Sequence, residues 1–546
     1  MQTMAYNFDL GVADPESFVE QSSRFSIGDQ LRKTARMYPD RRAVVDLERD
    51  RTVRYATLDE CVDKLASGLL EHGLEPNEST VAVLAENRGE TVEVAHACAR
   101  TGTLIATLNW RLEREELVHC IDLADPDFLV VSDRFEDRLD WVDADAESDP
   151  ITVGYDGGEE ADLDFVSVRD GGDPSDPRLE ITVGAEQGFA IINTSGTTGL
   201  PKGAVVSHRA EMARAIQVIL DYELERGDNY PAWGPMFHMA GLDWIVVTAV
   251  LCGTYYPIDG FEPASIVDSI RDSSRPISWL FLVPGVLERM WAYIEDEGVD
   301  PTTFPPIRTM GSLPDMIEPA RIERITDLFD APFQNTYGST EVGHSASGSK
   351  LPVGESPTEA SLSKVESPFG NVRLVDENMA PATDDHGEMI VSGPALFSGY
   401  VDNPDANEEV FVDGWYRTGD IFERHEDGTY SYLNRRKYLI KPGGENVYPA
   451  ELEGILIEHE AVEEVVVVRA DDPQWGEVPR AGIGTTETDD PEGLREALYD
   501  RLEAQLAGYK LPKYLEFVEP EQFPRSTTGK IVRTDVEEWE RGEPIE

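Results

Sequence analysis

Basic side chains are what this chain has least of for its size. Across 546 residues, 47 Lys and Arg face 106 Asp and Glu, a formal net charge of −59, and only ten of the 47 are lysine. A field of that sign repels phosphate backbones and anionic headgroups, which argues against nucleic acid and acidic membrane surfaces as partners. Cysteine is scarce too. Cys61, Cys98, Cys120 and Cys252 show no CxxC spacing and no paired histidines, so reduced, buried thiols are expected. The longest uncharged apolar run, Trp244 to Ile258, is short of the roughly 20 residues a spanning helix needs and contains Gly253 and Pro257. The opening MQTMAYNFDLGVADPESF lacks both the basic and the apolar stretch of a secretory leader. Internal repeats and low-complexity tracts are missing as well. These absences together point to a cytoplasmic enzyme without integral membrane association.

What is present is an ordinary globular interior under an acidic surface. The chain is 40% hydrophobic and 9% aromatic, too apolar for a disordered acidic segment, which weakens the alternative of an acidic interaction domain. The carboxylates are spread along the whole length instead of forming a tail, and arginine greatly outnumbers lysine. That pattern reads as a protein from a halophile, whose self-repulsion concentrated salt would screen. A chain this long needs two or more packed units.

Hydrophobic periodicity gives the organisation. Helical spacing over 57–72 (TLDECVDKLASGLLEH) and 90–101 alternates with short apolar runs at 81–84, 103–107 and 128–131, a βαβ rhythm that predicts a parallel sheet. The Asp-, Glu- and Gly-rich stretch 140–187 reads as irregular surface connection with at most a short strand. A second α/β series follows to about Tyr337, with helices at 207–220 (Ser207 as N-cap), 263–272 and 319–329. Residues 369–433 read as a β-rich subdomain. A last unit carries helices at 450–458 and 491–506 and strands at 465–468 and 514–518.

Residues 193–203, NTSGTTGLPKG, follow the apolar run 189–192 and hold four hydroxyls, three glycines and Lys202. Glycines let backbone N–H groups turn toward an anion, while hydroxyls and an ammonium add donors, so the stretch reads as a polyphosphate clamp. It is not a Walker loop. That pattern needs Ser or Thr directly after Gly-Lys at a helix start, whereas here Pro201 precedes Lys202 and Gly203 follows it.

The motif resembles the signature of the adenylate-forming superfamily, which includes acyl-CoA synthetases, luciferases and peptide-synthetase adenylation domains. The resemblance runs from about residue 25 onward through LNWRL (108–112), MFHMAG (236–241), MGSLPD (310–315), NTYGSTE (335–341), GEMIVSGPALFSGY (387–400), DGWYRTGD (413–420), RRKYLIKPGGENVYPAELE (435–453) and PRSTTGKIVR (524–533). It implies an α/β fold with a large N-terminal AMP-binding domain, 1–436, holding two Rossmann-like sheets and a β-rich subdomain. A small mobile α+β C-terminal lid, 437–546, would carry the catalytic lysine.

By the same resemblance, ATP, Mg2+ and CoA are required. Thr194, Ser195, Gly196, Thr197, Thr198, Gly199 and Lys202 would hold the ATP phosphates, and Glu341 with Thr194 would bind Mg2+. Gly311, Asn335, Thr336 and Thr340 would frame the adenine and α-phosphate, with Tyr337 stacked on the base. Asp420 would accept the ribose hydroxyls and Arg435 would contact ribose and phosphate. Lys530 would bridge the acid carboxylate and the α-phosphate, and His238 would shape the carboxylate site. Rotation about Lys437, in the segment that also holds Lys441, would withdraw Lys530 and bring Gly443, Gly444 and Glu445 toward the pantetheine. Tyr438 and Pro442 depart from the family's usual residues at the hinge. Four of the ten lysines fall in these motifs, where an anion-handling site needs them.

Gly338 stands where acetate-selective relatives place a tryptophan, so an open acyl tunnel is expected, and LNWRL leans toward medium- or long-chain fatty acids. The leading reading is an AMP-forming acyl-CoA synthetase, with a homodimer as candidate assembly. The alternatives are an aryl-acid or carrier-protein adenylating enzyme, luciferase-like oxygenation, and a catalytically silent nucleotide-binding paralogue.

Overall fold

The structure is a computed structural model that describes residues 26–157, 160–194, 200–282, 284–311, 319–383, 385–442, 447–459, 461–485, 491–525 and 531–539. The fold is mixed α/β with several sheets, as the βαβ rhythm predicts. The chain divides into two compact units. The first runs to Ser278 and adds Ser339–Gly343 and Pro394–Asn407; the second holds the remainder.

The first unit is organised by an eight-stranded sheet. In spatial order its strands are Gly399–Tyr400, Lys202–Ser207, Gly188–Thr194, Leu104–Thr107, Thr80–Leu84, Phe128–Val131, Ile151–Gly154 and Leu163–Asp164. The last six pair in parallel, while the first three are antiparallel neighbours. Thr80–Leu84 (TVAVL) and Phe128–Val131 (FLVV) are buried along their whole length. Their continuous apolar runs are what a sheet covered on both faces requires. A second sheet, Tyr230–Ala232, Tyr255–Pro257, Arg42–Asp46 and Arg51–Arg54, is parallel except for its last strand.

The helices follow the predicted periodicity within a residue or two: Tyr55–Glu71, Gly89–Thr101, His208–Asp221 and Pro263–Asp272. Ser207 caps its helix through the Ala210 N–H at 3.3 Å. The stretch 140–187 differs from expectation. It supplies two strands, Ile151–Gly154 and the edge strand Leu163–Asp164, a helix, Phe165–Gly171, and most of helix Leu139–Asp145. Three apolar side chains, Val153, Tyr155 and Phe165, are buried beneath the acidic surface residues. The buried Arg88 guanidinium takes the Asp156 carboxylate in a fork at 2.8 and 2.9 Å and lies over the Tyr155 ring. The acidic composition masks a short but well-anchored segment.

The second unit contains a β-rich sheet in the order Thr336–Ser339, Gly343–Gly348, Lys364–Glu366, Tyr430–Arg435, Trp415–Arg424, His386–Ser392 and Asn371–Val375, with Phe411–Val412 beside Trp415–Arg424. It also holds a three-stranded sheet, Glu464–Asp472, Gly476–Gly484 and Tyr514–Val518. Helices Pro449–Ile457 and Pro491–Glu503 supply Leu452, Leu456, Leu498 and Leu502 to a core shared with Val467 and Ile483 from these strands. All four cysteines are free thiols, Cys61 half-buried and the others buried. Burial pushes Cys98 and Cys120 up to about 12, so they are poor nucleophiles. Among the described residues no helix is long and apolar enough to cross a membrane.

Candidate active site

The phosphate-clamp motif is the connection of a β-hairpin. Strands Gly188–Thr194 and Lys202–Ser207 pair antiparallel, and Thr194 lies opposite Lys202, with the Thr194 hydroxyl donating to the Lys202 carbonyl at 3.3 Å. Ser195, Gly196, Thr197, Thr198 and Gly199 lie outside the described residues. The distal end of the loop is tied down by His119, whose Nε2 donates to the Pro201 carbonyl at 3.0 Å. Gly203 is needed for close approach here, since a Cβ would sit 3.0 Å from Ile191 and 3.2 Å from Leu123.

From Lys202 a chain of contacts leads to the candidate metal carboxylate. Lys202 Nζ sits 5.1 Å from the centre of the Tyr400 ring, and the Tyr400 hydroxyl donates to Glu341 Oε1 at 2.8 Å. The Phe397 N–H donates to the Glu341 carbonyl at 2.9 Å. The structure therefore brings Thr194, Lys202 and Glu341 into one connected cluster, with Tyr400 as the link. Tyr400 ends the GEMIVSGPALFSGY motif, which was the available signal, yet nothing in the motif assigned it a role.

His238 is the N-cap of helix Met239–Leu251 and is half-buried, with its ring against Phe237. Two of the matched motifs, LNWRL and MFHMAG, meet. Phe237 stands edge-on to Trp110 at 6.3 Å, and the Arg111 guanidinium lies over both rings. Trp110 also stacks on Phe135 at 5.3 Å. The loop that carries Phe237 and His238 hangs on Asn87. Its Nδ2 donates to the carbonyls of Ala232, Gly234 and Ile258 at 2.8–3.0 Å, and its Oδ1 accepts the Met236 N–H at 2.8 Å. Asn87 belongs to no recognised motif, and no sequence signal singled it out.

In the second unit, Asp420 and Arg435 face each other in register on adjacent strands and pair at 3.0 Å. The Tyr337 hydroxyl donates to the other Asp420 oxygen at 2.6 Å, and its ring stands edge-on to Phe422. Burial and the neighbouring Asp420 charge hold the Tyr337 phenol well above its ordinary range, so it remains a donor. Gly311 ends the strand Met310–Gly311, and any Cβ there would lie 2.3 Å from the Trp279 indole nitrogen. Asn335 commits its side-chain N–H to the Leu362 carbonyl at 2.7 Å, and Thr336 Oγ1 accepts from Ser347. Glu388, missed at the residue level although inside a recognised motif, gathers Arg417, Arg436 and the Gly419 N–H beside Asp420. Within the first unit, Thr340 offers its carbonyl to Arg214 at 2.6 Å.

At the expected hinge, Lys437 lies in the short turn Arg436–Tyr438. Its carbonyl accepts from Arg469 and its ammonium lies 4.4 Å above the Tyr438 ring. Arg533 occupies the same ring at 5.2 Å and forks onto Glu453. The unusual Tyr438 thus serves as a cation platform. The Lys441 ammonium pairs with Glu377 at 3.5 Å, on an exposed surface where such a pair contributes little. Gly443, Gly444, Glu445 and Lys530 lie outside the described residues.

Comparison with known proteins identifies the family. The AMP-binding enzyme family matches residues 31–401, and the AMP-binding enzyme C-terminal domain matches residues 451–530. The chain is 32% identical to the indoleacetate–CoA ligase of Aromatoleum aromaticum, over 93% of this chain and 97% of that one. It is 30% identical to the 2-succinylbenzoate–CoA ligase of Listeria monocytogenes, over 93% and 98%. It is 31% identical to the fatty acid–[acyl-carrier-protein] ligase ScoC of Streptomyces coeruleorubidus, over 89% and 91%. ATP-bound MatB from Rhodopseudomonas palustris superposes with a TM-score of 0.79 at 25% identity, over 94% of this chain and 99% of that one. With motif order, fold and full-length relatives in agreement, the chain belongs to the AMP-binding enzymes of the adenylate-forming superfamily and is an AMP-forming acid–CoA ligase.

Proposed function

We propose that this ligase activates an acid bearing an aromatic ring, with CoA as the acceptor. The observation that carries the reading is the meeting of LNWRL with MFHMAG, the motif that resembles the acyl-site segment, in an aromatic cluster, Trp110, Phe135 and Phe237, capped by Arg111. Flat π-faces favour a ring over a flexible alkyl chain through offset and edge-on contact. Relatives named for indoleacetate, 2-succinylbenzoate and ferulate support the same reading, which displaces the lean toward fatty acids drawn from LNWRL. A fatty acid is the second reading, favoured by the ScoC relative.

The reaction has two displacements. The acid carboxylate attacks the α-phosphorus of ATP and pyrophosphate leaves. The CoA thiol then attacks the acyl carbonyl and AMP leaves. In our assignment Lys202 and the loop 195–199 hold the β- and γ-phosphates, and Lys530 brings the carboxylate to the α-phosphate. Asp420 and Arg435 hold the ribose, Tyr337 orients Asp420, and His238 borders the reacting carboxylate. Glu341 and Thr194 are hard oxygen donors joined through Lys202 and Tyr400. They suit Mg2+, which would offset the charge of the leaving pyrophosphate. Lys437 would be the hinge between the domain 1–436 and the lid 437–546.

The test is pyrophosphate release in concentrated KCl with Mg-ATP across indoleacetate, ferulate, benzoate, octanoate and palmitate, each with and without CoA. The expected result is fastest release with a ring-bearing acid, together with AMP and a CoA thioester. Faster turnover of octanoate or palmitate would replace the aryl reading with the fatty-acid one. Turnover that ignores CoA would point to a carrier-protein acceptor.

A further inference from the structure

Three charged side chains that the reaction does not use lie buried next to the Glu341 turn. Glu211 and Arg214 sit on helix His208–Asp221, which follows the Lys202 strand, and Asp243 sits on helix Met239–Leu251, which begins after His238. Arg214 is 1% exposed. Its contact with Asp243 is loose, 3.7 Å between Nη1 and Oδ2. Its close contacts are with backbone. Nη2 donates to the Thr340 carbonyl at 2.6 Å and Nε donates to the Ala395 carbonyl at 3.0 Å.

Those two carbonyls flank the candidate metal residue. Thr340 precedes Glu341, and Ala395 lies two residues before Phe397, whose N–H holds the Glu341 carbonyl. Gly343, at φ +62°, closes the turn against the same side chain, and a Cβ there would meet Arg214 Cγ at 2.7 Å. The guanidinium fork therefore spans two separate chain segments that meet at Glu341. Burial together with the Asp243 charge pushes the Glu211 carboxyl well above its usual range. A Glu211 carboxyl kept neutral in this way leaves Asp243 as the single carboxylate beside a single guanidinium. A neutral buried triad avoids stranding a charge, yet such groups add little stability over apolar packing, so a positioning role accounts for their presence better than a stabilising one.

We infer that Arg214, buried beside Glu211 and Asp243, is a positioning residue that presents Glu341 to the metal–pyrophosphate side of the adenylation step. The triad also joins the helix after the phosphate strand to the helix that starts the acyl-side segment, so all three segments are fixed against one another. This rests on the assignment of Glu341 as a Mg2+ ligand. Its specific consequence is that losing Arg214 harms the step that needs Mg2+ and spares the thiol step, which needs none.

The experiment measures Mg2+ saturation of acid-dependent pyrophosphate release at saturating ATP, and separately thioester formation from supplied acyl adenylate and CoA, for the wild type, Arg214→Lys and Glu341→Gln. Lysine keeps the charge but loses the rigid planar fork with which the guanidinium holds both carbonyls at once. For Arg214→Lys the half-saturating Mg2+ should rise at least tenfold, with thioester formation within twofold of wild type. Glu341→Gln should show the same or a larger shift. If Glu341→Gln shifts and Arg214→Lys does not, the positioning role is wrong and the metal assignment stands. If neither shifts, the metal assignment fails and takes the inference with it. Equal loss of both half-reactions in Arg214→Lys would mean that the residue is merely structural. If Arg214→Lys does not fold, the double variant Arg214→Gln/Asp243→Asn removes one charge of each sign and strands none. It must show the same shift, and an unchanged Mg2+ dependence in it overturns the inference.

Discussion

Hydrogen bonds to a charged group are worth about 1.5–3 kcal/mol net, enough for a single hydroxyl to matter at this site. Tyr400 donates one to Glu341 while its ring faces Lys202. Tyr400→Phe keeps the ring and deletes the hydroxyl, so we expect roughly a tenfold or larger fall in kcat for pyrophosphate release, with a loss of stability no larger than about 1.5–3 kcal/mol. Steady-state kinetics and a melting curve check both parts. Asn87 is the opposite case, because it contacts only backbone. Asn87→Ala strands the Gly234 and Ile258 carbonyls and the Met236 N–H in the interior, while the Ala232 carbonyl keeps the Ile258 N–H. At about 1–3 kcal/mol for a stranded group, and with water re-entering part of the space, a loss of roughly 3 kcal/mol in urea unfolding is expected, with a raised KM for the acid because the Phe237–His238 loop loosens. The contrast explains what was legible. Glu341, Asp420 and Lys202 are assigned through the resemblance, because each lies within a contiguous run of residues that matches a family motif. Asn87 satisfies partners more than 140 positions away in sequence, and a contact of that range leaves no local pattern.

Among the elements, helix Gly89–Thr101 was found from its spacing alone, although nearly all of its side chains are buried. Its periodicity survives because Glu93 and Arg100 are polar positions satisfied internally, Arg100 by Asp59 and Asp63 and Glu93 by Arg51 and Arg169. The stretch 140–187 failed the same reading because its strands are too short for a period to show, and the acidic residues around them are dense. The cost of a fully buried helix appears at His96. Burial, aided by the Arg100 charge, lowers its imidazole to about 3, while an unfolded histidine titrates near 6.5. The folded state therefore refuses a proton that the unfolded state accepts. The stability at stake is fully present above about pH 6.5 and is lost as pH falls from there toward 3. At pH 5 the difference is about 2 kcal/mol from this one group. Urea unfolding at pH 7 and pH 5 should show a drop that shrinks by about that amount in His96→Phe, provided the variant folds at pH 7. An unchanged pH dependence in that variant would refute the assignment. His208, lowered to about 4 by burial, adds to the drop in both proteins and cancels in the comparison.

For the whole molecule, the net charge of −59 acts twice. It strains the fold through self-repulsion, and it opposes the arrival of ATP and CoA, which are themselves polyanions. Salt relieves both effects, because the screening length falls from about 10 Å at 0.1 M to about 3 Å at 1 M. The site contacts act over shorter distances. Lys202 against Tyr400 and Arg435 against Asp420 lie within about one such length even at 1 M or little beyond it, so screening removes long-range repulsion more than local attraction. Two curves should follow. The urea midpoint should rise steadily with KCl from 0.1 to 2 M. At salt concentrations where the protein is already folded, kcat/KM for ATP should rise further while kcat stays nearly flat, because association is the step being relieved. An enzyme whose positive surface steers its anionic substrate inward shows the reverse slope. A midpoint and kcat/KM that are both independent of salt would mean that the surface charge is neither a strain on the fold nor a barrier to nucleotide. The halophilic reading of the composition would then be wrong. A rising midpoint with a falling kcat/KM would instead reveal a local positive field at the nucleotide entrance strong enough to outweigh the acidic surface. Lysine placement makes that outcome physically open, since four of the ten lysines fall within the site motifs. Lys437→Gln and Lys441→Gln would then be the variants to flatten that slope.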